Sequence, residues 1–399
     1  MAIYQIVIRI GWVFKTESII MPAVLDSLGG AGWLRGMLPM LNRIGQSIPP
    51  LLLAGRINTL PLKKSALFIF SAGMSLAFAG FSMLWWTGIY ARPIAPVIFL
   101  LIYAFFFCCT GLVNMTFGTL QGKLIPVMIR GRLLMVANSV GALLAVFFAW
   151  WLMGRWLSTE GGEFAYVFGF TSLSFAVAAL IALLIRENRD QKVSSGSSAQ
   201  SIVDAWRVLG DDPAYRKLLV IAVLFGSSMT IFPHYQALAR ERLGLSFEAM
   251  TGWVIIQNLG TGVFGILFGS LADRRGNRTV LRIAMLGVAA IPVLALVLSY
   301  SGDIGRRYFW VVFVLFSLTP VTIKVLNNFA LEFTQTDSHP RYLSLMAIGI
   351  AFPIYFSPLF GLIVDRFGFD WPMAFVSCSV AVGWIMTMFV SEPRHRGSK

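Results

Sequence analysis

Charge is what this sequence has least of. Only 13% of its 399 residues are Asp, Glu, Lys or Arg, about half the ~25% of an ordinary soluble domain. With 57% hydrophobic residues, too little polar material remains to cover a water-facing surface, which excludes a soluble enzyme of this length. Cysteine is also scarce. Cys108 and Cys109 are adjacent in an apolar run and Cys378 stands alone, so no disulfide framework or metal spacing is present. No nucleophile–base pair or metal-ligand cluster stands out, and neither enzymatic activity nor a cofactor is expected. Acidic residues are few, 18 against 32 basic ones, for a net charge of +14. In a soluble chain that balance would point to nucleic acid, but no helix here carries a basic stripe, and nucleic acid is not an expected partner. No cleavable signal pattern follows Met1. The first apolar stretch contains Lys15 and Glu17 and is expected to be a retained span.

Long apolar runs fill the chain. They cover 3–28, 32–56, 65–89, 94–120, 131–156, 164–185, 214–239, 247–271, 279–300, 307–335, 341–364 and 371–390. Each is long enough to cross about 30 Å of hydrocarbon at ~1.5 Å per residue. None shows the short alternation of a barrel strand. The expected fold is therefore all-α and polytopic, with twelve transmembrane helices. The 33 Phe supply lipid-facing bulk, while 12 Trp and 10 Tyr suit the interfaces. With the N-terminus placed in the cytoplasm, most basic residues fall on that side, among them Arg9, Lys63, Lys64, Lys123, Arg130, Arg132, Arg186, Arg189, Arg274, Arg275 and Arg278. The far side keeps fewer, such as Arg92, Arg155 and Arg366. Both termini are thus expected inside.

The longest polar stretch, 186–213, includes a Ser-rich run near Ser194–Ser201 and has the composition of a flexible linker. Residues 201–210 carry apolar positions that suit a short surface helix. Asp212 before Pro213 predicts a capped helix start. The expected organisation is an N-terminal six-helix bundle over 1–186, a cytoplasmic linker over 187–213 and a C-terminal six-helix bundle over 214–399, with a solute site near mid-membrane between the halves.

After the eighth apolar run comes Gly269-Ser-Leu-Ala-Asp273-Arg274-Arg275-Gly276-Asn277-Arg278. This stretch resembles the loop motif of the major facilitator superfamily, G-x-x-x-D-R-x-G-[RK]-[RK]. Gly269, Asp273, Arg274, Gly276 and Arg278 match, and Asn277 departs. The family carries the motif on the cytoplasmic side between spans 2 and 3 and between spans 8 and 9, and the topology above puts it there. The earlier copy is degraded: Gly55 and Lys63-Lys64 remain, with Thr59, Leu60 and Leu62 where the family has Asp, Arg and Gly. Arg130-Gly-Arg132 and His339-Pro-Arg341 echo one another in the loops after spans 4 and 10. Gly361-Leu-Ile-Val-Asp365-Arg366 repeats the G-x-x-x-D-R element on the outer side. An Arg in the middle of span 4 is missing from Cys108–Asn114, and the G-P motif of drug–proton antiporters is missing from Asn138–Ala145. The resemblance implies two six-helix bundles and transport. Asp273 is expected to brace an inner gate by accepting from a neighbouring helix start or an Arg, and Arg274, Arg275 and Arg278 to bind lipid phosphate or brace the same gate. Gly260, Gly262, Gly265 and Gly269 suit close helix packing.

Charges at membrane depth need water, a partner or a ligand. Lys15 and Glu17 lie in span 1, Arg43 with Gln46 in span 2, and Lys324, Asn328 and Glu332 in span 10. On a continuous helix Lys15 and Glu17 would stand about 200° apart and not face each other. Arg43 offers a fork for carboxylate or phosphate, and a Glu17–Arg43 pair is a purely structural alternative. Lys324 is too deep to snorkel and is expected to face a cavity with Asn328. Glu332 fits a proton carrier, a gate or an ion pair. In span 7, Pro233 loosens the helix beside His234 and Gln236, where His234 suits either a cavity or a rim. Gln257, Asn258, Asn114 and Asn138 are weaker candidates. The embedded balance is basic, which leans towards an anionic or zwitterionic substrate.

The expectation is a secondary transporter of a small organic solute working by alternating access in a bacterial inner membrane, with proton coupling left open. A lipid or lysolipid flippase and a non-transporting scaffold or sensor are the alternatives. Expected partners are the solute, membrane lipids and protons, and the expected state is a monomer.

Overall fold

A computed structural model of the chain describes residues 1–158, 163–189, 212–334 and 339–390. Every regular element among them is helical. Ten helical stretches among the described residues are long and apolar enough to cross a membrane, so the protein is an all-α polytopic membrane protein. The expected linker and the short surface helix at 201–210 fall mostly outside the described residues.

The chain divides into two compact units. The first takes Met1–Gly30, Met40–Ser197 and Ser246–Ile255, and the second takes Ala31–Pro39, Ser198–Leu245 and Ile256–Lys399. Its helices are α1 (Ala2–Phe14), α2 (Ile20–Ser27), α3 (Gly32–Asn58), α4 (Lys63–Trp86), α5 (Ala95–Leu124), α6 (Val127–Phe148) and α7 (Phe164–Leu183). There follow α8 (Pro213–Gly226), α9 (His234–Leu243), α10 (Phe247–Arg275), α11 (Asn277–Ser299), α12 (Trp310–Phe316), α13 (Leu318–Leu331), α14 (His339–Ala351), α15 (Ser357–Phe367) and α16 (Asp370–Met386). The first nine residues of α10 group with the first unit, and the start of α3 groups with the second.

In the first unit α4 packs along α7 and α5, and α1 lies against α6 and α7. Apolar side chains gain little by leaving lipid for protein, so tight packing must hold these helices together. The buried rings of Phe78, Phe81, Phe106, Phe168 and Phe175 do this with mostly edge-on and tilted contacts, such as Phe78 on Phe106 at 4.9 Å and 89°. Such geometry places the positive ring edge on the negative ring face. In the second unit α11 packs on α16 and α13, and α8 packs on α14 and α16.

The predicted helix start at Asp212 is present. Its Oδ1 accepts from the Ala214 and Tyr215 amides at 3.0 and 2.9 Å, with Pro213 in the first turn. Glu187 performs a similar task for α4, accepting from the Lys63 and Lys64 amides at 3.1 and 2.9 Å and from Lys123 Nζ at 2.8 Å. Burial alone would raise the Glu187 pKa, but the Lys123 ammonium and the two amides outweigh it and hold the carboxyl below its ordinary range.

One expectation is corrected at the first span. Residues 3–28 do not form a single helix: α1 ends at Phe14, and α2 begins only at Ile20. The helical angle between Lys15 and Glu17 therefore does not apply.

Candidate functional site

The break after α1 turns Lys15 and Glu17 towards each other. Lys15 Nζ donates to Glu17 Oε1 at 2.5 Å, correcting the expectation that they point apart. Lys15 is fully buried, and its ammonium lies 3.3 Å from the centroid of the Trp12 ring and 4.6 Å from that of Phe107. A carboxylate and aromatic faces together make a buried cation tolerable.

Glu17 begins a chain of polar side chains. Its Oε2 accepts from Asn42 Nδ2 and, at 3.5 Å, from Tyr103 Oη. Asn42 Oδ1 accepts from Gln46 Nε2, and Gln46 Oε1 accepts from Asn114 Nδ2 at 3.5 Å. The chain needs α3 and α5 to cross closely. Gly45 and Gly111 allow it: an added Cβ at Gly111 would stand 2.7 Å from the Gly45 carbonyl, and one at Gly45 would stand 2.6 Å from the backbone of Phe107. Arg43 is half-buried on the same helix.

Asn114 also borders a cavity of about 170 Å³ within the first unit. Gln5, Arg9 and Trp12 of α1 form one side, and Thr110, Asn114 and Phe117 of α5 the other. Tyr4 also lines it, stacked on Phe117 at 5.4 Å with its hydroxyl 2.8 Å from Ser71 Oγ. Sequence reasoning places Arg9 among the basic anchors and gives no role to Gln5 and Trp12. The available signal was spacing: Gln5, Arg9 and Trp12 recur at i, i+4 and i+7, which is one helix face.

The second unit contains the remaining candidates. Lys324 and Asn328 are both exposed on α13, whose Val321, Val325, Leu326 and Phe329 are buried. Lys324 has no hydrogen-bond or ion-pair partner among the described residues. Asn258 is half-buried on α10, where the neighbouring Gln257 carbonyl accepts from Ser317 Oγ at 2.9 Å. His234 is fully buried, and neither ring nitrogen has a hydrogen bond among the described residues. Gln236, two residues on, is buried as well.

Glu332 is engaged at the motif loop. Its Oε1 accepts from Asn277 Nδ2 at 2.7 Å, so the residue that departs from the family pattern is the one that holds this acid. Gly276, with φ +82°, makes the turn between α10 and α11. Arg278 Nη2 donates to the Met388 carbonyl at 2.7 Å and Arg282 reaches the same carbonyl at 3.4 Å, bracing the end of the last helix. Arg274 and Arg275 are exposed, as are Gly269 and Asp273, and Asp273 has no partner among the described residues.

The outer echo of the motif behaves differently. Asp365 Oδ1 and Oδ2 accept from the Gly32 and Trp33 amides at 2.6 and 3.0 Å, capping the start of α3. Ser357 Oγ donates to the Gly36 carbonyl at 2.5 Å, and Arg35 Nη1 lies 3.4 Å from Glu241 Oε1. The side chains of Arg130, Arg132 and Asn138 lie outside what is described.

The sequence matches the family model described as Major Facilitator Superfamily over residues 70–319 and 248–399. No curated protein matches the chain. Similar solved structures include a POT family transporter in complex with 5-aminolevulinic acid, at 12% identity over 98% of this chain and 96% of that one, TM-score 0.75. The nucleoside transporter NupG is 14% identical over 98% and 97%, TM-score 0.69. The inward-open xylose transporter XylE from E. coli is 16% identical over 98% and 96%, TM-score 0.66. At such identities the likeness is one of fold.

Proposed function

The chain belongs to the Major Facilitator Superfamily, a family of membrane transporters and not of enzymes, and from that premise we propose that it carries a small organic anion or zwitterion across the membrane as a secondary transporter by alternating access. Twelve spans in two six-helix bundles, cytoplasmic termini and a bacterial inner membrane complete the proposal. One observation carries the substrate charge. Lys324 is an exposed cation without a partner among the described residues, on a helix that otherwise carries no charge. A bare ammonium against lipid costs several kcal/mol, so that face meets water and an anionic passenger.

Proton coupling is assigned to Glu17 in preference to Glu332. Glu332 is tied to Asn277 at a loop. Glu17 neutralises Lys15 and accepts from Asn42 and Tyr103. A proton on Glu17 would release the Lys15 ammonium for a substrate anion, which links the two charges chemically. In the same scheme the Asp365 cap on α3 fastens the outer side, and the partnerless Asp273 is its released inner counterpart.

Uptake into proteoliposomes of amino acids, carboxylates and sugars, with and without a pH gradient, tests this reading. An acid-driven anion flux that falls at least about tenfold in Lys324→Ala, in line with a lost charge-assisted contact, supports it. Flux that survives joint neutralisation of Lys15, Arg43 and Lys324 sinks the anion assignment.

A further inference from the structure

We infer that Asn42, Gln46 and Asn114 form a relay through which Glu17 decides which atom the cavity between α1 and α5 offers to a solute. With Glu17 ionised the cavity is offered a carbonyl oxygen. With Glu17 protonated it is offered an amide NH2, which binds a carboxylate. The assignment rests on Glu17 as the coupling acid and supplies the link from its proton to an anionic passenger.

The direction of the bonds is the starting point. Every neighbour of Glu17 donates: Lys15 Nζ to Oε1 at 2.5 Å, and Asn42 Nδ2 and Tyr103 Oη to Oε2. An ionised carboxylate can only accept, so it fixes the Asn42 amide with nitrogen towards it and oxygen away. Asn42 Oδ1 then accepts from Gln46 Nε2, and Gln46 Oε1 accepts from Asn114 Nδ2 at 3.5 Å. The three amides all point the same way. Asn42 and Gln46 are four apart on α3 and share a face, and Asn114 reaches Gln46 from α5. Among the described residues, Glu17 is the only ionisable group bonded to these amides. Glu17 itself faces Lys15 from the same break and Tyr103 from α5, while α3 presents Asn42, with Arg43 next in sequence.

The row ends at Asn114, which lines the cavity of about 170 Å³. Its Nδ2 is committed to Gln46, and its Oδ1 has no hydrogen bond among the described residues. The wall therefore presents an acceptor, which suits a hydrogen-bond donor and repels a carboxylate. Arg9 lines the same cavity and stays charged whatever Glu17 does, so it does not set the pH dependence.

A proton on Glu17 Oε2 reverses the row. The carboxyl then donates to Asn42 Oδ1, and each amide turns over to keep its bonds. Asn42 Nδ2 meets Gln46 Oε1, Gln46 Nε2 meets Asn114 Oδ1, and Asn114 Nδ2 is left for the cavity. The same number of bonds is made in both states. A half-turned row would set oxygen against oxygen, which is costly away from water, so the amides turn together. The sign matches acid-driven entry of an anion: the proton prepares the site that the carboxylate fills.

The test follows the Asn114 side-chain amide by nitrogen NMR in the purified full chain labelled at asparagine, with formate as the probe anion. Asn114→Asp identifies the signal. In wild type it is expected at one position at neutral pH and at another in acid. Glu17→Gln, whose amide can donate to Asn42 as the protonated acid does, should hold it at the acid position throughout. Gln46→Leu keeps the Glu17 charge but cuts the row, and should abolish the pH response. Asn42→Leu is a second cut with the same expected loss. Formate should perturb the signal in acid, and in Glu17→Gln at every pH, but at least about tenfold more weakly in wild type at neutral pH. A signal that ignores pH, one that still moves in both cut variants, or formate binding equal at both pH values overturns the relay. Acid-driven uptake alongside a signal unmoved by pH overturns the relay and leaves the transport reading standing. A working relay with no flux of any solute does the reverse.

Discussion

Two copies of G-x-x-x-D-R, Gly269–Arg274 and Gly361–Arg366, close two helices of the second unit and do opposite things. Asp365 caps the start of α3 with both carboxylate oxygens, while Asp273 is exposed and has no partner among the described residues. The local chemistry is the same. A glycine one turn before the aspartate leaves a flat patch beside the carboxylate, so a second helix can approach and present its free amides. At Gly361 that approach is made: an added Cβ would stand 2.6 Å from the carbonyl carbon of Gly32. At Gly269, as at Gly262 and Gly265, an added Cβ would meet nothing within 4 Å. The motif therefore encodes the capacity to cap, and the position of the partner decides whether it is used.

The contrast can be broken most severely at the glycines. Gly36→Leu places a branched side chain against the Ser357 backbone, and overpacking of this kind is expected to lower uptake by roughly 10–100-fold with normal membrane yield. Unchanged uptake would remove the α3–α15 contact from the transport cycle.

Next in size is the cap itself. Asp365→Ala removes a charged acceptor worth about 1–2 kcal/mol, so the released start of α3 should become about tenfold more populated. Hydrogen–deuterium exchange of the Gly32 and Trp33 amides, which donate to the Asp365 carboxylate, reads that population. Exchange at the wild-type rate contradicts the cap.

Asp273→Asn sharpens the comparison from the other side. Having no partner to lose, it should leave the thermal midpoint within about 1 °C while slowing uptake several-fold, because its contact belongs to another state of the cycle. A fall in stability as large as that of Asp365→Ala would show that the two copies are equally engaged.

An effect on stability with none expected on uptake belongs to Glu187, a helix-capping carboxylate within the first unit. Glu187→Gln should lower the midpoint at neutral pH by about 2–4 °C, the size of one cap in a unit of this length. The wild-type carboxyl has a depressed pKa. Its stabilisation is complete above the unfolded carboxylate value and is lost as pH falls through the lower folded value, so the variant and wild type should converge in acid. A gap that widens on acidification would reverse the assignment.

Much of the fold was legible because its causes are local. The apolar runs, the Asp212–Pro213 start and the Gly276 turn each depend on a few neighbouring residues, and the helices stand close to where those residues put them. The candidate residues were legible only in part. Lys324 stood out because a charge in an apolar run is conspicuous, and the structure leaves it exposed. The face that Arg9 shares with Gln5 and Trp12 gained meaning only once α5 lay opposite. The helical rule applied to Lys15 and Glu17 failed because the helix ends at Phe14 and both residues lie in the break that follows.

From the sequence alone came the solvent, the secondary structure and the family, since hydropathy, capping and a loop motif are written residue by residue. Tertiary structure alone decided which charges found partners: Glu17 for Lys15, Asn277 for Glu332, the amides of α3 for Asp365, and none among the described residues for Lys324. That outcome depends on which helix crosses which, and at what height, and crossings between residues hundreds of positions apart leave no periodic trace in a single chain.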